Sequence, residues 1–153
     1  MVEVGAQAPD FTLVDQHGET VTLSQFRGSK NVVLLFDPYA SSGTCTGELC
    51  VIRDRLPTFD NDDTVTLAVS VDSRFALRVF AEQEGYTFRL LSDFWPHGAV
   101  ARAYGVLVEN RGAAKRGTFI IDKAGLVRWS VVHGIGEARD ADAYEKALAE
   151  LEA

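Results

Sequence analysis

Sulfur is scarce in this chain, which has two cysteines and one methionine among 153 residues. Two cysteines are too few for a disulfide framework, and without a secretory signal they suggest chemistry or chance rather than a staple. Positive charge is also short, with 15 Lys and Arg against 22 Asp and Glu and a net charge of −7. That balance opposes nucleic-acid binding, which needs clustered bases; the densest cluster, "NRGAAKRG", holds three. No run reaches the roughly 18 apolar residues of a membrane span. The three histidines, His17, His97 and His133, are scattered, and each reads as an ordinary surface or turn residue. No repeat, low-complexity run or linker is visible. What is present is 46% hydrophobic residues, enough for one buried core and a single domain over 1–153. The opening "MVEVGAQAPDFTL" carries acid where a signal peptide carries base and has no long apolar stretch, so a soluble, cytoplasmic protein is expected.

Strand and helix signals alternate along the chain. "DFTLVDQHGETVTLSQF" predicts two short strands about Gly18, and "NVVLLF" a strand buried on both faces. A helix is expected through "CTGELCVIRDRLPTF", with Leu49, Ile52 and Leu56 as its apolar stripe and Pro57 kinking or ending it. "VTLAVSV" predicts the next buried strand. "SRFALRVFAEQEG" predicts a helix with Phe75, Val79 and Phe80 on one face and Gly85 as its C-cap. A short strand at "TFRLLSD", a short helix closed by Gly105, a hairpin turning at "DKAG" and a last helix from about Asp140 complete the series. The pattern implies an α/β fold with a central mixed β-sheet flanked by helices, a right-handed crossover and an N-terminal β-hairpin, in a thioredoxin-like arrangement.

Both cysteines lie in "PYASSGTCTGELC", directly after the apolar run "NVVLLFD". Ligand sites in open α/β sheets lie beyond the carboxyl ends of strands, where this segment falls. With Ser42 as N-cap, Cys45 sits in the first helical turn. Unpaired backbone N–H groups and the helix dipole there favour a thiolate, the nucleophilic form. The alternative for Cys45 is an inert small hydrophobe. Cys50, deeper in the same helix, taken alone reads equally well as structural. Ideal helix geometry separates the two Cα atoms by about 8.7 Å, beyond the roughly 7 Å reach of a disulfide. A Cys45–Cys50 bond therefore requires the helix to unwind, and Gly47 between them makes that easier. A zinc pair is disfavoured, because such cysteines usually lie two to four apart and need further ligands.

"Pro38-x-x-x-Ser42-x-x-Cys45" resembles the peroxiredoxin signature of Pro, Thr or Ser, and peroxidatic Cys. The resemblance extends through "VGAQAPDFTLVDQHGETVTLSQFRGSKNVVLLFDP", "LLSDFWPHGAVARAYGV" and "KRGTFIIDKAGLVR", in the family's order and over nearly the whole chain. "SDFWPHGAV" and "GELC" are most similar to the AhpE-type peroxiredoxins of actinobacteria. Cys50, five positions after Cys45, instead follows the bacterioferritin-comigratory (PrxQ) pattern. The resemblance implies a thioredoxin-like fold and attack by Cys45 on a hydroperoxide to give a sulfenic acid. Ser42 would offer its hydroxyl to the thiolate and peroxide, Pro38 would shield the site, and Arg116 would stabilise the thiolate and polarise the O–O bond. Glu48 would help hold the arginine, and Cys50 would resolve the sulfenic acid as an intramolecular disulfide. Ser at 42, where most relatives carry Thr, lacks the methyl that restricts the rotamer.

Each role has a plainer rival. Ser42 reads as an N-cap alone, Pro38 as a strand stop, Glu48 as a first-turn acid complementing the dipole, and Arg116, like Lys115, as a solvated loop charge. The partners implied are a peroxide substrate, a thiol reductant such as thioredoxin or a mycoredoxin-like protein, and a second copy of the chain. Aromatics in "YASSG" and "DFWPHG" suit a dimer interface, with a monomer left open; no cofactor or metal is implied. The competing functions are a one-Cys cycle using an external thiol, a disulfide oxidoreductase and a redox sensor. Absence of C-x-x-C counts against the oxidoreductase.

Overall fold

The computed structural model describes residues 2–39, 43–133 and 140–152, with backbone alone at 43–48 and 152. Its strands are β1 (Thr12–Asp15), β2 (Thr20–Thr22), β3 (Asn31–Phe36), β4 (Thr64–Ser70), β5 (Arg89–Ser92), β6 (Leu107–Val108), β7 (Ala113–Ala114), β8 (Arg116–Ile121) and β9 (Val127–His133). The helices are α1 (Gly43–Asp54), α2 (Leu56–Phe59), α3 (Arg74–Glu84), α4 (Ala99–Ala103) and α5 (Ala141–Glu152).

Seven strands form one sheet in the order β2-β1-β5-β4-β3-β8-β9. β3 pairs parallel with β4, and β4 with β5, while β8 runs antiparallel to β3 and β9 antiparallel to β8. This is the expected mixed sheet with its N-terminal hairpin, β1–β2, continuing one edge. Every residue of β3, β4 and β8 is buried, as continuous apolar strands require when both faces are covered.

Period-two alternation divides these strands between two cores. Val32, Leu34 and Phe36 join Leu67, Val69 and Phe119 on one face, beneath the β1–β2 hairpin and α4. Val33 and Leu35 join Ile120 on the other, covered by Leu49 and Ile52 of α1, Leu77 and Phe80 of α3, and Tyr144 and Leu148 of α5.

Two helical expectations are corrected. Phe75 and Val79 do not face the core: they are 65% and 52% exposed. The buried stripe of α3 is Leu77, Phe80 and Ala81, and at about 100° per residue Phe75 and Val79 lie on the opposite side of the helix from Leu77. The Arg74 guanidinium covers the Phe75 ring at 4.2 Å. The C-cap of α3 is as expected, with Gly85 left-handed at its end, and at its start the Ser73 hydroxyl accepts from the Ala76 amide. Pro57 does not end α1; the helix stops at Asp54, and Pro57 lies in the first turn of α2. Proline is tolerated there because a first-turn N–H has no acceptor to lose. The sequence reading also passed over the small β6–β7 hairpin.

Candidate active site

β3 lies between β4 and β8 at the centre of the sheet. Beyond its last residue the Asp37 amide still donates to the Val69 carbonyl at 2.8 Å, and Asp37 is buried. Pro38 follows, also buried. The chain re-enters regular structure at Gly43, which makes Cys45 the third residue of α1. A backbone N–H there has no intrahelical acceptor, and the helix dipole makes the position favourable for a thiolate. Ser42 lies outside the described residues, as do the side chains of Cys45 and Glu48.

Arg116 is not a solvated loop charge. It opens β8, is 2% exposed and stands opposite His133 of β9. Antiparallel pairing sets Leu35 opposite Thr118. Two further steps along the same register bring Asp37 level with Arg116. Gly117 between them lies close under Phe36: a Cβ at Gly117 would meet the Phe36 ring at 3.8 Å and Val106 at 3.2 Å. Pro38 and the buried Arg116 thus lie at the same end of the β3–β8 pair, the end from which the chain runs on to α1. A guanidinium retains its charge even when buried, and it presents a rigid fork of donors. Such a group favours a neighbouring thiolate and negative charge developing on oxygen.

Tyr39 and His97 make loop contacts that the sequence reading missed. The Tyr39 hydroxyl donates to the Arg111 carbonyl at 2.9 Å. His97 Nε2 lies 2.6 Å from the Gly112 carbonyl oxygen. Both contacts tie loops to the turn between β6 and β7. Tyr39, read as part of a dimer surface, is 43% exposed and has its hydroxyl engaged within the chain. The only signal in the sequence was an aromatic next to Pro38.

Cys50 is a free, half-buried thiol in the same helix as Cys45. Its Sγ donates to Glu84 Oε2 at 3.6 Å and lies 3.5 Å from the Tyr86 hydroxyl. The Tyr86 ring is fixed against Phe80 and Phe88, each with centroids 5.1 Å away. Burial, and then the contact with Cys50, push the Tyr86 phenol above its usual range, so it stays protonated. Arg53 donates to the Glu84 carbonyl and holds the end of α3 against α1. Among the described residues no cluster of three or more His, Cys, Asp or Glu could hold a metal ion, and no helix is long and apolar enough to cross a membrane.

The AhpC/TSA family profile matches residues 4–130. Alkyl hydroperoxide reductase E of Mycobacterium tuberculosis is 52% identical over 153 residues, 100% of both chains. Peroxiredoxin Bcp of Bacillus subtilis is 39% identical over 130 residues, 81% of each chain. The crystal structure of peroxidoxin BcpB from Mycobacterium tuberculosis matches with a TM-score of 0.83 at 34% identity, covering 99% of this chain and 97% of that one. The mixed sheet and its helices are accordingly the thioredoxin-like fold of these proteins. The chain belongs to the AhpC/TSA family: it is a peroxiredoxin, an enzyme of the thiol-dependent peroxidase class.

Proposed function

We propose that this peroxiredoxin is a single-domain, cytoplasmic enzyme that reduces hydrogen peroxide and organic hydroperoxides through Cys45. The Cys45 thiolate attacks the terminal peroxide oxygen and the O–O bond breaks. The departing oxygen takes a proton and leaves as water or alcohol, and the sulfur becomes a sulfenic acid. Ser42 offers its hydroxyl to the thiolate and peroxide, and Glu48 helps hold Arg116. Pro38 excludes water. Arg116 stabilises the thiolate and the negative charge on the leaving oxygen. Cys50 then displaces hydroxide from Cys45 to form an intramolecular disulfide, which a thioredoxin-like or mycoredoxin-like dithiol reduces. The working assembly is a homodimer.

The observation that carries this reading is the buried Arg116, which opens β8 beside the strand that leads into the Cys45 turn. The reductase named among the relatives supports organic hydroperoxides as substrates. The test is stopped-flow oxidation of the reduced protein by hydrogen peroxide and an alkyl hydroperoxide, with Cys45→Ser as control. Reaction orders of magnitude faster than free cysteine thiolate is expected; a rate no faster would refute the proposal. Intact mass after one equivalent of peroxide tests the resolving step. Loss of two hydrogens marks the internal disulfide, whereas gain of one oxygen marks the one-Cys cycle.

A further inference from the structure

Cys50 is half-buried against polar groups from the end of α3 and the residues just beyond it. A carboxylate can only accept hydrogen bonds. The single thiol proton of Cys50 therefore points to Glu84, and the Tyr86 hydroxyl is left to donate to the sulfur lone pair. Both partners are held. Tyr86 is clamped between two phenylalanines, and the end of α3 is tied to α1 through Arg53. Such an arrangement suits a thiol that must lose its proton and become a nucleophile without leaving its place.

Resting on the reading of Cys50 as the resolving cysteine, we infer that Glu84 is the proton acceptor of the resolving step and Tyr86 the donor that steadies the nascent Cys50 thiolate. Cys50 attacks from where it stands. The half of α1 that carries it is anchored, because Leu49 and Ile52 are each only 2% exposed and Cys50 itself packs against the same core. The unwinding that closes the gap between the sulfurs therefore falls on the first turns, and Cys45 travels to Cys50.

The step balances within the chain. The Cys50 S–H proton passes to the Glu84 carboxylate as sulfur attacks the Cys45 sulfenic sulfur. The S–S bond forms, the S–O bond breaks, and the departing hydroxide is neutralised by that proton to give water. Cys50 is oxidised and the sulfenic sulfur is reduced by the same electron pair, so no further reactant is needed. Among the described residues, the charged and titratable groups facing Cys50 are Glu84 from the end of α3, Tyr86 beyond it, and Arg53 one turn along α1, which is paired with Asp54 at 3.0 Å.

The test follows two events separately in the full chain after a peroxide pulse: sulfenic acid formation, and disulfide formation by acid-quenched intact mass. Each is measured from pH 6 to 8 for the native protein, Glu84→Gln, Glu84→Asp and Tyr86→Phe. Glu84→Gln preserves side-chain shape and the Arg53 contact, which is to the Glu84 backbone. The native disulfide step should be nearly flat with pH. In Glu84→Gln it should slow about 100-fold, the low end of a general base contribution, and rise about tenfold per pH unit, because only the thiolate already present then reacts. Glu84→Asp should recover part of the flat profile, and Tyr86→Phe should slow the step several-fold. Equal disulfide rates with the same pH profile in native and Glu84→Gln proteins would overturn the inference. A native protein that stops at the sulfenic acid would instead overturn the resolving role of Cys50 on which it rests.

Discussion

Thr118 and Tyr144 meet hydroxyl to hydroxyl at 2.9 Å in full burial. The bond ties α5 to β8 two residues past Arg116 and on the core face beneath α1. Removing it in Tyr144→Phe keeps the ring and its edge contact with Trp129 at 5.5 Å. The expected loss is about 1 kcal/mol for one buried hydrogen bond, or roughly 2–4 °C in Tm for a chain of this size. Calorimetry measures the loss. The peroxide rate constant should stay within about twofold, because the substitution touches neither Arg116 nor the Cys45 turn; a tenfold fall would show that α5 sets the geometry of the site.

Arg116 combines burial with a fixed charge. Its removal in Arg116→Ala should slow sulfenic acid formation by about 100-fold to 1,000-fold, as for other preorganised donors. Arg116→Lys keeps a charge but loses the planar fork, and should lie between the native protein and Arg116→Ala. Stopped-flow kinetics decides this, with circular dichroism confirming that each variant is folded. A native rate in Arg116→Ala would remove the residue from the mechanism.

The sheet was legible in the sequence because strands buried on both faces leave an unbroken apolar record, as in "NVVLLF" and "VTLAVSV". Gly85 and the "DKAG" turn marked element ends through conformations that only certain residues adopt readily. What failed was choosing between faces. Phe75 and Val79 are four apart and apolar, so they imitate a core stripe; only packing against β5 selects Leu77 and Phe80 instead. Without the family resemblance Arg116 read, like Lys115 beside it, as a solvated loop charge, because nothing local in the sequence shows that the start of β8 is buried. Cys50 illustrates the same limit. Its partners lie 34 and 36 residues away, and no local pattern announces them.

Trp95 is 81% exposed and Phe94 53% exposed on the loop after β5. Large apolar rings left to water suit an interface core. A dimer is therefore expected in sedimentation equilibrium, and Trp95→Ala should weaken it about 30-fold, corresponding to an aromatic anchor of about 2 kcal/mol. A native protein that is monomeric at tens of micromolar would discard the dimer.

Burial holds the Asp60 carboxyl above its usual range, against the lowering influence of Lys30 and the Thr66 amide. Between its unfolded value near 4 and its raised folded value, the folded chain binds more protons than the unfolded one. Stability therefore falls as pH rises through the folded value, and the cost persists at pH 7. Asp60→Asn abolishes this titration. The Tm of Asp60→Asn minus that of the native protein should be most positive near pH 7 and decrease towards pH 4, whatever the constant effect of the substitution. A difference independent of pH would show that burial of Asp60 carries no charge penalty.

Gly47 lies within α1 between the two cysteines, and glycine weakens a helix interior by about 0.8–1 kcal/mol relative to alanine. If disulfide formation proceeds through an opened first turn, stabilising that turn must lower the open population by the same free energy. Gly47→Ala should then slow disulfide formation about fourfold to fivefold while the preceding oxidation of Cys45 is read independently in the same trace. Acid-quenched intact mass follows the disulfide. The effect should also vanish in urea concentrations that fray the helix without unfolding the sheet, because opening is then no longer the costly step. An unchanged disulfide rate in Gly47→Ala would mean that the sulfurs meet by a motion other than unwinding between residues 45 and 49.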